Sequence, residues 1–444
     1  MAGVGGSGGA SLAVRLASAS SAIAGPEPSG FVVPPGVSDP LCNGGRGVRL
    51  SRPFGQGEES AVVASATIAD GSTLIAVSAV YPGKSYAVLD SVTLGCEPNP
   101  EFGVDGTATI AISPDLRPAH PRARTLSPEG LWIQEVAPRN GGGAIVTGTY
   151  RGDWVVGEVT PGGQLDATFA DGGWTVLPFL GEVTQVLQEP SGRIIIAGDN
   201  GGGGCCTRNW AAALSASGQL EQAFGRHGRV ELPTGEDSGV EGLSPEPNGD
   251  ILVNVGHGNM GCWGTSLAML TPSGQPVPQF ANRLARFWQG LGFHAFIGDV
   301  YIEGEGFTLA GTGQGPCDEP RTSRSASPTG LVARFRVNGT PAGRPIRFPS
   351  RMYGAVRAFH DDGDTFLVEY PYADPTQLTI TARRADGSLD PRFASLGKAQ
   401  LRAPWTGLSA ELADVAIIAA GPGEATIVAT GGERPELQLI RLRL

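Results

Sequence analysis

Glycine (68) and proline (35) far exceed ordinary usage in these 444 residues, yet 40% of the chain is hydrophobic, so a packed core coexists with an unusual number of turns. A net charge of −11 argues against a surface that holds nucleic acid or anionic membrane through clustered positive charge. No run of about 18 apolar residues is present, which argues against a membrane-spanning helix.

Residues 1–35 carry Gly-Gly-Ser-Gly-Gly and end their first stretch on Ser-Ala22-Ile23-Ala24, a small-x-small pattern, and are expected to form a signal-like or disordered leader. Repetition begins at Gly36. A cassette with glycine and phenylalanine six residues apart reads Gly163-Gln-Leu-Asp-Ala-Thr-Phe169, Gly218-Gln-Leu-Glu-Gln-Ala-Phe224, Gly274-Gln-Pro-Val-Pro-Gln-Phe280 and Gly387-Ser-Leu-Asp-Pro-Arg-Phe393. Diverged copies start at Gly36, near Gly95 and at Gly339; Gly36 leads to Cys42 in place of phenylalanine, and Gly339 to Pro345. Seven units averaging about 58 residues therefore tile 36–444 as a single domain.

Each unit reads as four short strands. In the third they are Trp174–Pro178, Val183–Gln188, Arg193–Ala197 and Trp210–Leu214; in the fourth, Arg229–Leu232, Val240–Leu243, Asp250–Val255 and Ser266–Leu270. Pro190-Ser-Gly192, Pro247-Asn-Gly249 and Asp361-Asp-Gly-Asp364 are tight hairpin turns between second and third strands. No segment shows a sustained helical period, and Val415-Ala-Ile-Ile-Ala419 suits a buried strand. Four antiparallel strands per unit, seven units and no helix predict an all-β, seven-bladed β-propeller. A pair of smaller propellers or sandwiches is the competing arrangement.

The pattern of Asp-Gly-x-Leu-Asp-x-x-Phe, strand, x-Pro-x-Gly-x-Ile resembles the delta-60 repeat of bacterial, often extracellular, β-propeller-like proteins. Pro161-Gly-Gly-Gln-Leu-Asp-Ala-Thr-Phe169, Ala385-Asp-Gly-Ser-Leu-Asp-Pro-Arg-Phe393 and Glu189-Pro-Ser-Gly-Arg-Ile-Ile-Ile-Ala-Gly198 carry the resemblance. It implies a propeller and brings no catalytic residues with it, because the shared positions look structural.

In such a fold the long insertions Pro114–Gly130, Asp199–Asn209, Gly256–Thr265 and Thr312–Gly330 all open on one face, the expected binding surface. On it Trp263 in the loop Asn259-Met-Gly-Cys-Trp is the candidate stacking platform, with Asn259, Arg208, Asp318 and Arg321 as its polar neighbours. The same loops hold Cys205, Cys206, Cys262 and Cys317, for which cross-blade disulfides are expected, Cys205 or Cys206 with Cys262 first among them; Cys42 and Cys96 share the opposite face and are expected to pair. Trp154 and Trp210 fall near one repeat position and are expected to pack between blades. His120, His227, His257, His294 and His360 are scattered and expected to be satisfied locally or to face solvent.

No nucleophile elbow, His-Glu-x-x-His or phosphate loop is present. The expectation is an extracellular or surface scaffold, monomeric, needing no cofactor or metal, that binds a protein or glycan partner. The alternative is a propeller enzyme, hydrolase or lyase, working on extracellular carbohydrate or peptide through loop carboxylates such as Asp318, Glu319 or Asp199.

Overall fold

The computed structural model describes residues 48–50, 60–67, 72–79, 86–93, 95–112, 116–120, 131–200, 207–232, 238–246, 248–259, 262–291, 295–303, 306–314, 329–349, 356–361, 364–369, 377–384, 386–402, 414–421, 424–431 and 436–443. Among them the chain forms seven antiparallel sheets. The first contains Ser60–Thr67, Thr73–Ala79, Tyr86–Val92 and Thr107–Ala111; the second, Leu131–Pro138, Ala144–Tyr150, Asp153–Val159 and Trp174–Leu180. The third contains Glu182–Gln188, Ile194–Asp199, Asn209–Leu214 and Arg229–Glu231; the fourth has Ser238–Pro245, Ile251–Asn259 and Cys262–Leu270 alone. Ala295–Glu303, Gly306–Gln314, Thr329–Arg336 and Ile346–Pro349 make the fifth, and Val356–Asp361, Asp364–Glu369, Gln377–Arg383 and Lys398–Arg402 the sixth. In the seventh, Asp414–Gly421, Glu424–Gly431 and Glu436–Arg443 are joined by Val48–Leu50 from the other end of the chain, Val48 opposite Leu439.

Within the first six sheets the strands lie in chain order, and the first strand of each sheet contacts the first strand of the next, the seventh counted from Asp414–Gly421. The strand beginning at Asp414 in turn contacts the one beginning at Ser60. This is a β-propeller fold, with first strands innermost. Both faces of the inner strands, such as Ala144–Tyr150 and Ile194–Asp199, are therefore buried. Ile194 and Ile196 pack towards the second sheet, while Ile195 and Ala197 pack towards the fourth, which explains an uninterrupted apolar run where a one-faced strand would alternate. Trp154, fully buried and edge-on to Phe179 at 5.6 Å, fills the space between second and third sheets, with Trp210 packed against the same cluster.

The cassette is the joint between sheets. Gly163, Gly218, Gly274, Gly339 and Gly387 all adopt φ between 77° and 84°, and each donates its N–H to the carbonyl three residues earlier, closing the turn after a third strand. Phe102, Phe169, Phe224, Phe280 and Phe393 are all buried. The first four rings lie against the glycine of the following cassette: a β-carbon at Gly218 would come within 2.6 Å of the Phe169 ring, and one at Gly274 or Gly339 within 2.9 Å of Phe224 or Phe280. Where the phenylalanine is lost at Pro345, Ile346 takes up the contact with Gly387. The residue after the phenylalanine then donates its N–H across the joint, Ala170 to Ser217 O at 3.1 Å and Gly225 to Ser273 O at 2.8 Å.

Three sequence expectations need correction. The first strand of each sequence unit is the outermost strand of the preceding sheet: Trp174–Leu180 pairs with Asp153–Val159 and not with the strand that follows it. A unit and a sheet are out of phase by one strand. Next, a helix does occur, at Pro278–Leu291, directly after the fourth sheet, which has no fourth strand. Phe280, Leu284, Phe287, Trp288 and Leu291 form one apolar stripe packed on Leu267, Phe307 and Phe335, and proline in the first turn is compatible with the start. Arg283 Nη1 reaches Asn338 O at 2.7 Å, taking the place of the cross-joint backbone bond. Finally, Gly256–Thr265 is no loop insertion. Both strands run through it, to Asn259 paired with Cys262, and Trp263 sits opposite Gly258 in a ladder.

If ring-on-glycine contact holds the joints, Gly218→Ala should cost about 2–4 kcal/mol in urea unfolding, from positive φ and overpacking together. Gly343→Ala, where an added methyl meets nothing within 4 Å, should change stability by less than about 0.5 kcal/mol. Equal costs would show that the contact is incidental.

Candidate functional site

Antiparallel strands in chain order send alternate connections to opposite ends. The links from one sheet to the next, and those between second and third strands, therefore share one face, here the loop-bearing face. The hairpins between first and second strands and the cassettes share the other.

On the loop-bearing face, residues 116–120 belong to the link between the first and second sheets. His120 is held there by Asp153, the first residue of a third strand. Asp153 Oδ1 lies 2.6 Å from His120 Nδ1, and Asp153 Oδ2 accepts the His120 backbone N–H at 3.0 Å. Asp153 is 0% exposed and the His120 side chain 40% exposed, so a fully buried carboxylate fixes both the backbone and the ring of a solvent-facing imidazole. His120 is thus locally satisfied at Nδ1, and its side chain is partly exposed. The turn leading to Asp153 is Arg151-Gly152, with φ of 53° and 85°, and the Arg151 guanidinium lies 5.4 Å from the Tyr150 ring centroid.

The same face continues into the third sheet. Gly181 donates to Gly152 O at 3.0 Å, and a β-carbon there would strike Asn200, so the two sheets abut without a gap at this level. Asn200 Oδ1 accepts the Arg208 N–H at 3.0 Å and its own N–H returns to Arg208 O at 3.1 Å, clamping the base of the 201–206 connection. Arg208 is exposed and lies 3.6 Å from Glu231. Of the sequence candidates, Arg208 is therefore placed on this face. Asn259, Cys262 and Trp263 are strand residues there, and Cys205, Cys206, Cys317, Asp318 and Arg321 lie outside the described residues, as does Cys42. Cys96 is disulfide-bonded and buried. Nothing in the sequence flagged His120 and Asp153 as a pair, because they are 33 residues apart and match no motif.

The opposite face carries its own buried carboxyls, one in each of three successive sheets. Burial pushes Glu158 up to about 7 although Arg139 sits 2.6 Å away and pulls it down, with Asp166 adding repulsion. Burial likewise raises Glu189, against Arg193 at 3.5 Å; Arg193 also binds Glu221 at 2.8 Å. Glu246 occupies the same turn position as Glu189, but Asp250 stands where Arg193 would be. Its side chain finds no hydrogen-bond partner among the described residues, and burial, then Asp250, push it up to about 7. These groups are built into repeated turns. Among the described residues no group of three or more His, Cys, Asp or Glu is placed to hold a metal, and no helix is long and apolar enough to cross a membrane.

No protein-family model matches the sequence, and no curated protein matches it significantly. Among solved structures the chain is similar to the polysaccharide lyase Uly1, with TM-score 0.50, 9% identity and coverage of 89% of this chain and 92% of that one. It is also similar to the β-propeller domain of the Trilobed protease from Pyrococcus furiosus (TM-score 0.44, 8% identity, 86% and 95% covered) and to Drosophila Plexin A in complex with Semaphorin 1b (0.44, 10%, 89% and 87%). At these identities the first likeness bears on the fold alone and the other two carry no argument. The delta-60 resemblance rests on the repeat motif.

The Glu246 carboxyl gives a signed pH dependence. Its folded value lies above its unfolded value, so stability is highest below about pH 4.5 and falls as pH rises to about 7. Glu246→Gln should restore on the order of 2–3 kcal/mol at pH 8 and little at pH 5 in paired urea titrations. A variant with no gain at pH 8 would mean that the carboxylate finds compensation when charged.

Proposed function

We propose that the chain is an exported, seven-bladed propeller of delta-60 type that serves as a binding scaffold, presenting its loop-bearing face to a glycan or protein. The observation that carries this reading is the division of labour between the faces. On the cassette face Arg139, Arg193, Arg384 and Arg392 are engaged with carboxyls inside repeated turns, whereas the other face holds the irregular connections, Arg208 and the oriented His120. Rigid scaffolds concentrate recognition on such loops.

Closure of seven blades is supported by the cycle of first-strand contacts and by Val48–Leu50 pairing with the last strand. Export is supported by the Cys96 disulfide. Cys96 occupies the cassette position that is glycine elsewhere: its φ is 62° and its N–H closes on Thr93 O. Its counterpart across the joint would be the phenylalanine of the preceding cassette, which in this sequence is Cys42. We assign Cys42 as the partner on that register.

A second reading, a hydrolase or lyase acting on extracellular carbohydrate, is favoured by the carboxylate-held imidazole, an arrangement suited to a general base.

Two measurements test these readings. Peptide mapping without reduction should recover Cys42 linked to Cys96, and Cys42→Ser with Cys96→Ser should destabilise the protein by about 4 kcal/mol for a loop of this length; free thiols at both positions would refute export and the pairing. Full-length protein on an array of surface polysaccharides and purified surface proteins should bind through the loop face, losing affinity in Arg208→Glu but not in Arg392→Glu on the cassette face. Binding lost equally in both would remove the face assignment, and chain cleavage by native protein but not by His120→Ala would favour the enzyme.

A further inference from the structure

The loop-bearing face also indicates what kind of ligand it suits, an inference that rests on that face being the one used. We infer that Arg117, His120 and Arg151 form a recognition site for the carboxylate or sulfate groups of an anionic polysaccharide.

The turn Arg151-Gly152 joins two strands with two residues, Tyr150 facing Asp153, and both turn residues have positive φ. Asn, Asp or Gly is the usual first residue of such a turn; a longer side chain there costs about 1 kcal/mol or more. An arginine in this conformation marks a position where the side chain is worth the strain. Its guanidinium lies over Tyr150 and is exposed. Two residues on, Asp153 grips His120 through Nδ1 and the backbone N–H, and the imidazole is partly exposed. Arg117, three residues before His120, is exposed as well.

Neither Arg117 nor Arg151 forms an ion pair with a described residue. On the cassette face Arg139, Arg193, Arg384 and Arg392 are each engaged by a carboxylate, whereas Arg226 there is exposed and forms no ion pair with a described residue, which makes it the matched control. Among the described residues the only carboxylate in contact with His120 is Asp153, and it is fully buried. Two exposed guanidinium groups without an ion pair among the described residues thus lie within three residues of the His120–Asp153 contact, on a protein whose net charge is −11. Guanidinium forks match the two-oxygen edge of carboxylate and sulfate.

A glycan fits better than a protein. Protein interfaces are anchored by apolar cores, and the exposed large hydrophobic side chains among the described residues are Val104, Leu180 and Leu396, of which Leu180 alone lies by this site, opposite Asp153. Solvated arginines each contribute little, so a polymer that repeats its anionic group along the chain is the ligand from which such contacts accumulate.

The test uses full-length protein with three probes: polygalacturonate for carboxylate, dextran sulfate for sulfate and dextran as the neutral control, by biolayer interferometry at low and moderate salt. Native protein should bind one or both charged polymers and not dextran, with affinity falling as salt rises. The double variant Arg117→Ala, Arg151→Ala should bind at least tenfold more weakly at an unchanged thermal midpoint, whereas Arg226→Ala on the cassette face should bind as native. Which charged polymer binds identifies the group. Native-like binding by the double variant, or equal loss with Arg226→Ala, overturns the inference. Dextran bound as tightly as the charged polymers overturns it while leaving the scaffold reading intact, and binding to none of the three overturns it while the array decides the scaffold.

Discussion

A phenylalanine ring pressed on the glycine of the next repeat is the constraint from which the rest of the structure follows. The glycine is required twice over, by a φ near 80° and by the absence of room for a β-carbon beside the ring. One buried contact therefore sets both the path of the chain out of a third strand and the distance between neighbouring sheets. A single sheet with two apolar faces has no independent stability, and the joint fixes which neighbour covers it. Where the repeat departs from its pattern, the joint survives by substitution. Ile346 supplies bulk for the missing ring at Pro345, and in the helical unit the Arg283 side chain reaches the carbonyl that a backbone N–H meets elsewhere.

That logic explains what the sequence revealed. Gly163 to Phe169 and its copies were legible because the geometry tolerates almost nothing else at two positions, and Pro190-Ser-Gly192 because a tight turn leaves few choices. The phase of the sheets was not legible. A strand that follows a cassette closely in sequence pairs backwards, to the strand before the cassette, and spacing is the same under either pairing. The helix at Pro278–Leu291 was hidden because it starts from an intact cassette, so the repeat pattern predicted a strand; its own stripe of Phe280, Leu284, Phe287, Trp288 and Leu291 was the available signal. Asn259-Met-Gly-Cys-Trp263 looked like a loop because glycine and polar residues interrupt it, yet strands extended by pairing with a long neighbour override weak local propensity. His120 and Asp153 come together only through the fold.

The two faces differ because the joints lie on one of them. Cassettes and first hairpins are held to a common shape, so their charged residues serve the shape: Arg139 with Glu158, and Arg193 with Glu189 and Glu221. Variation there has a measurable penalty, as at Glu246, where the cation of the neighbouring sheet is replaced by Asp250 and a carboxyl is left buried without a counter-charge among the described residues. The loop-bearing face is under no such restraint. Its connections differ from sheet to sheet, from the two-residue Arg151-Gly152 turn to the longer links that hold His120 and precede Arg208. Specific recognition is a property that differs between proteins on one scaffold, and it is expected where the repeat does not dictate the residues.

In the proposed ring one joint is unlike the others. The seventh sheet is completed by a strand of three residues, Val48–Leu50, held to Glu436–Arg443 by backbone pairing and supplied from the opposite end of the chain. Elsewhere a cassette is tethered to its third strand through the chain itself, so a buried ring need only set the spacing. Here the chain is broken between the third strand and its cassette, and a ring-on-glycine contact would have to provide the tether as well. This is the joint at which the register puts Cys42 in the ring position and Cys96 in the glycine position. The proposed Cys42–Cys96 disulfide would span the same gap with bonds instead of packing. The left-handed backbone that glycine adopts without penalty is kept at Cys96, where φ is 62°, so the substitution accepts local strain to gain a covalent link. On that pairing the two cysteines would join the ring where its non-covalent closure is weakest.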